Sequence, residues 1–297
     1  MNSQHPSIGI IGVGMVGAAL KKYFEEMQGR VRDDDLFLYD TDPRKNFGDD
    51  INHADIIFIA VPTPRRSDGS AGLDAVISAL EQIRAGKRVV LKSTVPPGTT
   101  QMLQKRFQDL QILFNPEFLT EAHAWENMIH PDRQLVGWTS ESRGSAPMVL
   151  KLLPKAAVMS PSANLDMTAT EAEIVKYAAN YFLTRKVTFA NAMYDLARHH
   201  DADYESIRRG IGADPRIGAS HLDVHHGGYR GYGGYCFVKD TDGLIAHCRT
   251  EGLEELARFF ENDRLYNERL LDAQALTSED VSVHDHEWIR NAKKKII

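Results

Sequence analysis

Short apolar runs alternate with amphipathic stretches through the first half of the chain. The runs IGIIG (8–12), LFLY (36–39), IIFIA (56–60), RVVLK (88–92), ILF (112–114) and QLVGW (134–138) have the length and composition of strands buried on both faces. Between several of them, residues 16–27 and 73–83 place apolar side chains at helical spacing. Strand–helix–strand repetition predicts an α/β fold whose N-terminal half is a doubly wound parallel sheet covered by helices. Beyond residue 160 the pattern changes. Residues 167–200 contain neither Gly nor Pro, and Ile174, Ala178, Phe182, Phe189, Met193 and Leu196 recur at helical spacing, which predicts one long helix with a broad apolar face. A second helix is expected over 204–212, then a Gly- and His-rich loop. Leu253, Leu256, Phe260, Leu270 and Leu271 mark a further helix ahead of a charged tail. No internal repeat interrupts this order.

A length of 297 residues suits about two domains. The net charge of -6 argues against a nucleic-acid partner, and the basic run 293–295 reads as a solvated tail. No apolar run approaches the ~20 residues that span a bilayer, and MNSQHPS at the start lacks a signal-peptide core. A folded protein with no membrane partner and a cytoplasmic location is expected. The 2 cysteines, Cys236 and Cys248, are too few and too far apart for a disulfide framework, so both are expected as free thiols.

The sequence GVGMVG (12–17) follows the first strand and opens a helix. Gly12, Gly14 and Gly17 permit a tight turn, close backbone approach to a pyrophosphate and close helix–strand packing, while the helix N-terminus favours negative charge. The second strand ends in Asp40, whose carboxylate can accept from ribose hydroxyls and repel a 2′-phosphate, so NAD is expected over NADP. The separation exceeds the usual spacing and implies a loop insertion around 33–35. The alternative is a glycine turn that packs without a ligand. The expected organisation is a Rossmann-type NAD-binding domain over 1–160 and a mainly helical central or dimerisation domain over 161–297.

Cys236 lies in GYGGYCFVKD (231–240), where glycines leave little bulk around the thiol. It is either a small buried apolar residue or a nucleophile that needs a nearby cation, with Lys239 close in sequence. His221, Asp223, His225 and His226 read as a polar loop, because their spacing is not that of a structural zinc site, and no metal is expected.

These residues carry a resemblance. GYGGYCFVKD is similar to the catalytic cysteine segment of the UDP-glucose/GDP-mannose dehydrogenase family. AVPTP (60–64), KSTVPPGTT (92–100), NPEFLTEAHA (115–124), PDRQLVG (131–137), EAEIVKYAAN (171–180) and DPRIG (214–218) resemble family motifs in the same order. The resemblance implies oxidation of the C6 hydroxyl of a nucleotide-activated hexose to a carboxylate with two NAD. Cys236 would carry a thiohemiacetal and then a thioester. Lys176 would stabilise oxyanions, with Asn180 one helical turn away. Asp240 and Thr94 would hold the hydrolytic water, and Glu117 would act as base. Glu121, Arg216, Tyr232 and Gly233 would join Glu117, Lys176 and Asn180 in substrate binding, Arg216 reaching a neighbouring subunit of a homodimer. Gly12, Val13, Gly14, Met15, Val16, Gly17, Asp40, Pro62, Thr63, Thr94 and Lys239 would contact NAD. Two departures touch substrate binding: family members continue into a second doubly wound domain, for which Ile297 comes too early, and the loop from Arg216 to Cys236 is a few residues longer than the family pattern. Two alternatives stay open. A 3-hydroxyacid dehydrogenase of the 6-phosphogluconate type gives Cys236 no role, and a non-catalytic NAD-binding subunit does not explain why Cys236, Lys176, Asn180 and Asp240 occur together.

Overall fold

A computed structural model describes residues 5–156 and 164–283. The chain divides into two compact units, one built from residues up to Pro64 and from Gly72 to Lys176, the other from Arg65–Ala71 and from Tyr177 onward.

The first unit is a seven-stranded sheet: β1 (Ile8–Ile11), β2 (Leu36–Tyr39), β3 (Ile56–Ile59), β4 (Arg88–Leu91), β5 (Gln111–Phe114), β6 (Gln134–Trp138) and β7 (Asn164–Thr168), in spatial order β2-β1-β3-β4-β5-β6-β7. Every pairing is parallel except β5 with β6. Helices α1 (Met15–Gln28), α2 (Asp74–Glu81), α3 (Thr99–Arg106), α4 (Ala124–Ile129) and α5 (Ala146–Leu152) fall between the strands. The apolar runs are uninterrupted because both faces are covered. Ile57, Ile59, Val89, Leu91, Ile112 and Phe114 point into one core, while Ile56, Phe58, Val90 and Leu113 point into the other. Burying one such side chain contributes about 1.5–3 kcal/mol. The expected insertion at 33–35 is a turn between α1 and β2, with Asp33 at φ 67.

β7 departs from the sequence reading, which begins the long helix at Met167. It pairs in parallel with β6 from Gln134↔Asn164 to Trp138↔Thr168. Leu165 and Met167 pack on a core while Asp166 alternates with them. The junction has a sequence signature in Thr168-x-x-Glu171. Glu171 Oε2 accepts from Thr168 N (2.7 Å) and Glu171 N donates to Thr168 Oγ1 (3.3 Å), a capping box that starts the next helix at Ala169.

That helix, α6 (Ala169–His199), runs from the first unit into the second, which adds α7 (Tyr204–Gly212), α8 (Tyr235–Thr250), α9 (Glu254–Asp272) and α10 (Ser278–Val281). The apolar stripe that periodicity picks out lies mostly on its exposed side. Ile174, Phe182, Phe189 and Leu196 are 51, 62, 46 and 52 % exposed, whereas Glu173, Lys176, Asn180, Thr184, Thr188 and Asn191 are buried. Periodicity identifies an apolar stripe but not the side on which the chain packs. The inward side is mixed: Ala172, Tyr177, Tyr181, Val187 and Ala190 are buried beside polar groups that find partners there. In the second unit, Asp263 of α9 accepts from Tyr181 Oη (2.5 Å), Arg185 Nη1 (3.1 Å) and Thr188 Oγ1 (3.2 Å).

Candidate active site

In an open parallel sheet, ligands bind beyond the carboxyl ends of the strands where the strand order reverses. Here the reversal lies between β1 and β3, and the residues that follow β1 to β5 gather at that edge. Gly12 follows β1 with φ 87, and a Cβ there would stand 2.7 Å from Ala60 O. A Cβ on Gly17 would stand 1.9 Å from Gly12 O, so α1 can start against β1 only with glycine at both positions. Gly14 has nothing within 4 Å of its Cβ direction, leaving an open cradle at the start of α1 where a pyrophosphate fits. Val13 is buried, whereas Met15 and Val16 are half-buried and Pro62 is exposed.

Asp40 follows β2. Its Oδ2 accepts from Val13 N (2.7 Å) and Lys45 Nζ (2.8 Å), and its Oδ1 accepts from Asp42 N (2.9 Å). Burial works to raise the carboxyl's pKa, but these hydrogen bonds outweigh it and hold it below the ordinary aspartate value. The carboxylate therefore braces the glycine turn, and its ionised oxygens have the chemistry to accept from a ribose hydroxyl. After β3, Thr63 Oγ1 donates to Thr94 O after β4 (2.9 Å), joining two of the loops.

The turn after β5 carries Glu117. Asn115, fully buried, donates through Nδ2 to Gln134 Oε1 (2.8 Å) and Leu135 O (2.7 Å), fixing the turn to β6. Lys176 Nζ donates to Glu117 O (2.6 Å) and Glu117 Oε1 (3.0 Å), while Glu117 Oε2 accepts from Leu119 N (2.6 Å). Both partners are nearly closed to solvent. Three residues before Lys176, Glu173 accepts from Gly98 N, Thr100 N and Thr100 Oγ1 at 2.6–2.7 Å, tying α6 to the start of α3. Glu121 begins a short 3-10 turn rather than a continuous helix, and its side chain lies outside the described part.

In the second unit, Cys236 is the second residue of α8, half-buried at the helix N-terminus, whereas Cys248 is buried. Asp240 comes one turn after Cys236. Its Oδ2 accepts from Asn180 Nδ2 (2.6 Å) and its Oδ1 pairs with Lys239, so Lys239 is engaged with its neighbour. Two amide side chains of the α9 end clasp the preceding loop. Asn267 accepts from Tyr232 N (2.7 Å) and donates to Tyr232 O (3.0 Å). Gln274 does the same to Arg230 at 2.8 and 2.9 Å. The side chains of this stretch are turned into the protein. Tyr232 is a core side chain, packed with Val187 and Val238, and the Cβ direction of Gly233 is filled by Tyr229 Oη at 2.0 Å and Val281 at 2.8 Å. Arg216 is exposed and paired with Asp214 at 2.6 Å. Lys92, Glu173 and Asn267 had not been singled out in the sequence. Only the capping signature beside Glu173 hints at any of them.

The family profile described as UDP-glucose/GDP-mannose dehydrogenase family, NAD binding domain, matches residues 41–152, and the same family's central domain matches residues 170–269. The chain belongs to this family. UDP-glucose 6-dehydrogenase of Rhizobium meliloti (strain 1021) is 40% identical over 217 residues, which are 68% of this chain and 48% of that protein. UDP-glucose 6-dehydrogenase TuaD of Bacillus subtilis (strain 168) is 33% identical over 258 residues, 82% of this chain and 51% of that protein. The chain thus spans about half the length of the curated relatives it matches. A UDP-glucose dehydrogenase from the archaeon Pyrobaculum islandicum superposes with a TM-score of 0.76 at 29% identity, over 92% of this chain and 72% of that one. The central-domain match of the UDP-glucose/GDP-mannose dehydrogenase family contains Lys176, Asn180, Cys236, Asp240 and Asn267, and it ends inside α9 before Gln274.

Proposed function

We propose that the chain carries the catalytic residues of an NAD-dependent nucleotide-sugar 6-dehydrogenase that converts the C6 hydroxyl of UDP-glucose, or a related UDP- or GDP-hexose, to the uronate. Cys236 carries the reading, because a half-buried thiol at the first turn of a helix, one turn ahead of a buried aspartate, suits covalent catalysis and has no part in a 3-hydroxyacid dehydrogenase. Gly14 and Asp40 would hold NAD, which when bound would supply the hydride acceptor, one NAD for each of two oxidations. In the first, the C6 alcohol loses a proton and a hydride to give the aldehyde. The Cys236 thiolate then adds to the carbonyl carbon, and the oxygen takes a proton to give a thiohemiacetal. Loss of a second hydride and a proton gives the thioester, which water cleaves to carboxylate and free thiol. Lys176 stabilises the oxyanions, and Glu117, at its ammonium, takes the proton of the attacking water, which Thr94 and Asp240 help to hold. Asn180 fixes Asp240, and Arg216 reaches the substrate of a second subunit. NAD binding, expected of residues 1–160, falls to the first unit, whose sheet also takes in β7, and dimerisation, expected of 161–297, falls to the helices that follow.

A homodimer is supported by the exposed stripe Ile174, Phe182, Phe189 and Leu196 on α6, whose last three members repeat every seven residues as a helix seam does. Two free thiols suit a cytoplasmic enzyme. No helix among the described residues is long and apolar enough to cross a membrane.

The test is NADH release with UDP-glucose, UDP-N-acetylglucosamine and GDP-mannose, together with assay of the acid. Two NADH per uronate are expected with one of these sugars, acid formation should cease in Cys236→Ala, and Cys248→Ala should behave as wild type. Oxidation of a 3-hydroxyacid but no nucleotide sugar, or full acid formation by Cys236→Ala, overturns the reading.

A further inference from the structure

Lys92 directly follows β4 and is only 5% exposed. Its ammonium donates to Asn115 Oδ1 (2.6 Å) and Asn115 O (3.2 Å), both uncharged oxygens. The charged groups that face it are Glu117 and Lys176. The carboxylate of Glu117 is already engaged by Lys176 Nζ and Leu119 N. Two buried lysines therefore act on one carboxylate, and Lys92 brings its positive charge into a region closed to water, where it acts strongly. A neutral amide could satisfy Asn115 without the cost of burying an ammonium, so the hydrogen bonds alone do not account for a lysine here.

We propose that Lys92 is a positioning residue for the reaction proposed above: through Asn115 it holds the turn that bears Glu117, and its charge behind the Glu117–Lys176 pair favours the negative oxygen that develops on the sugar. The inference rests on that reading for its chemistry and on the first unit alone for its geometry. Burial pulls the lysine's pKa down to about 8, with Lys176 acting in the same direction and Glu117 opposing. The electrostatic contribution is therefore complete below about pH 8 and lost as pH rises through it.

Lys92→Met removes the charge and keeps the stem, and Lys92→Arg keeps a charge that does not titrate in the working range. Single-turnover NADH formation should be slowed about tenfold or more by Lys92→Met at neutral pH. The ratio of wild-type to Lys92→Met rates should fall toward one above pH 8, with KM for NAD unchanged. The ratio of wild-type to Lys92→Arg rates should decline over the same range. A ratio independent of pH overturns the electrostatic role. NMR of ε-13C-lysine protein separates this from the parent reading, because it needs no turnover. The Lys92 resonance, assigned by its loss in either variant, should titrate near 8 and move lower in Glu117→Gln. An ordinary lysine midpoint, or no response to Glu117→Gln, overturns the inference even in a protein that oxidises nucleotide sugars.

Discussion

Glu173→Gln tests whether a buried carboxyl sets the pH dependence of the first unit. Glu173 is fully buried, and its two oxygens accept from three donors: Gly98 N at 2.6 Å on Oε2, Thr100 N at 2.7 Å and Thr100 Oγ1 at 2.6 Å on Oε1. Burial nonetheless outweighs those donors and pushes its pKa from 4.5 up to about 7. The folded state therefore keeps a proton that the unfolded chain releases between those two values. Stability is fully present below the unfolded value and falls as pH rises through the folded one, by about 3 kcal/mol over the 2.5 units. Glutamine removes the ionisation but not the geometry. Its oxygen can still accept from Thr100, while its NH2 group meets Gly98 N–H donor to donor, at a cost of about 1–3 kcal/mol for the unsatisfied groups. The variant should be the less stable protein near pH 5, and the gap should close or reverse near pH 8. The assay is urea unfolding of both proteins at a series of pH values, followed by a probe in the first unit. A gap that is constant with pH, or widens as pH rises, would show that the three donors outweigh burial and keep Glu173 ionised.

Asp40→Ser should weaken NAD binding by about tenfold or more, since both the ribose acceptor and the brace on Val13 N are lost, and should shrink the preference for NAD over NADP; calorimetry showing equal affinities in wild type would remove the role assigned to Asp40. Asn267→Leu leaves Tyr232 N and O without their partner and should cost about 2–4 kcal/mol. Hydrogen exchange at Tyr232 should accelerate far more than at α3, and uniform acceleration would show a global effect in its place. Phe189→Asp, on the exposed stripe of α6, should convert a dimer to a monomer in sedimentation while leaving the fold intact. A dimer that survives places the interface elsewhere.

The first unit was legible because its signals are local. A strand buried on both faces must be an apolar run, and a glycine is required wherever a Cβ would collide, as at Gly12 and Gly17. The edge strand β7 escaped because it is half-covered and no Gly or Pro separates it from α6. The site was legible as a set of residues but not as a set of pairs. Asn180 meets Asp240, Lys176 meets Glu117, and the glycines of the cysteine loop make room for Tyr229 and the end of α9 as much as for a ligand. Sequence spacing cannot reveal such pairings, since they join elements distant along the chain.

The exposure of the α6 stripe follows from the same limit and has a consequence for the whole second half. The inward side of α6 sets Tyr177, Tyr181 and Val187 beside polar groups that are tolerated there only if satisfied, and Glu173, Lys176, Asn180 and Thr188 each reach a named partner. Those groups would be costly to bury unpaired, so the inward face specifies one packing of α6 rather than many. The outward face then carries Phe182, Phe189 and Leu196 in water, an arrangement that gains nothing for a single chain. Both faces are explained if the inward polar groups serve the chemistry and the outward apolar side is covered by a second copy. Replacing a polar inward group should therefore impair reaction and stability together, and replacing an apolar outward one should change assembly first.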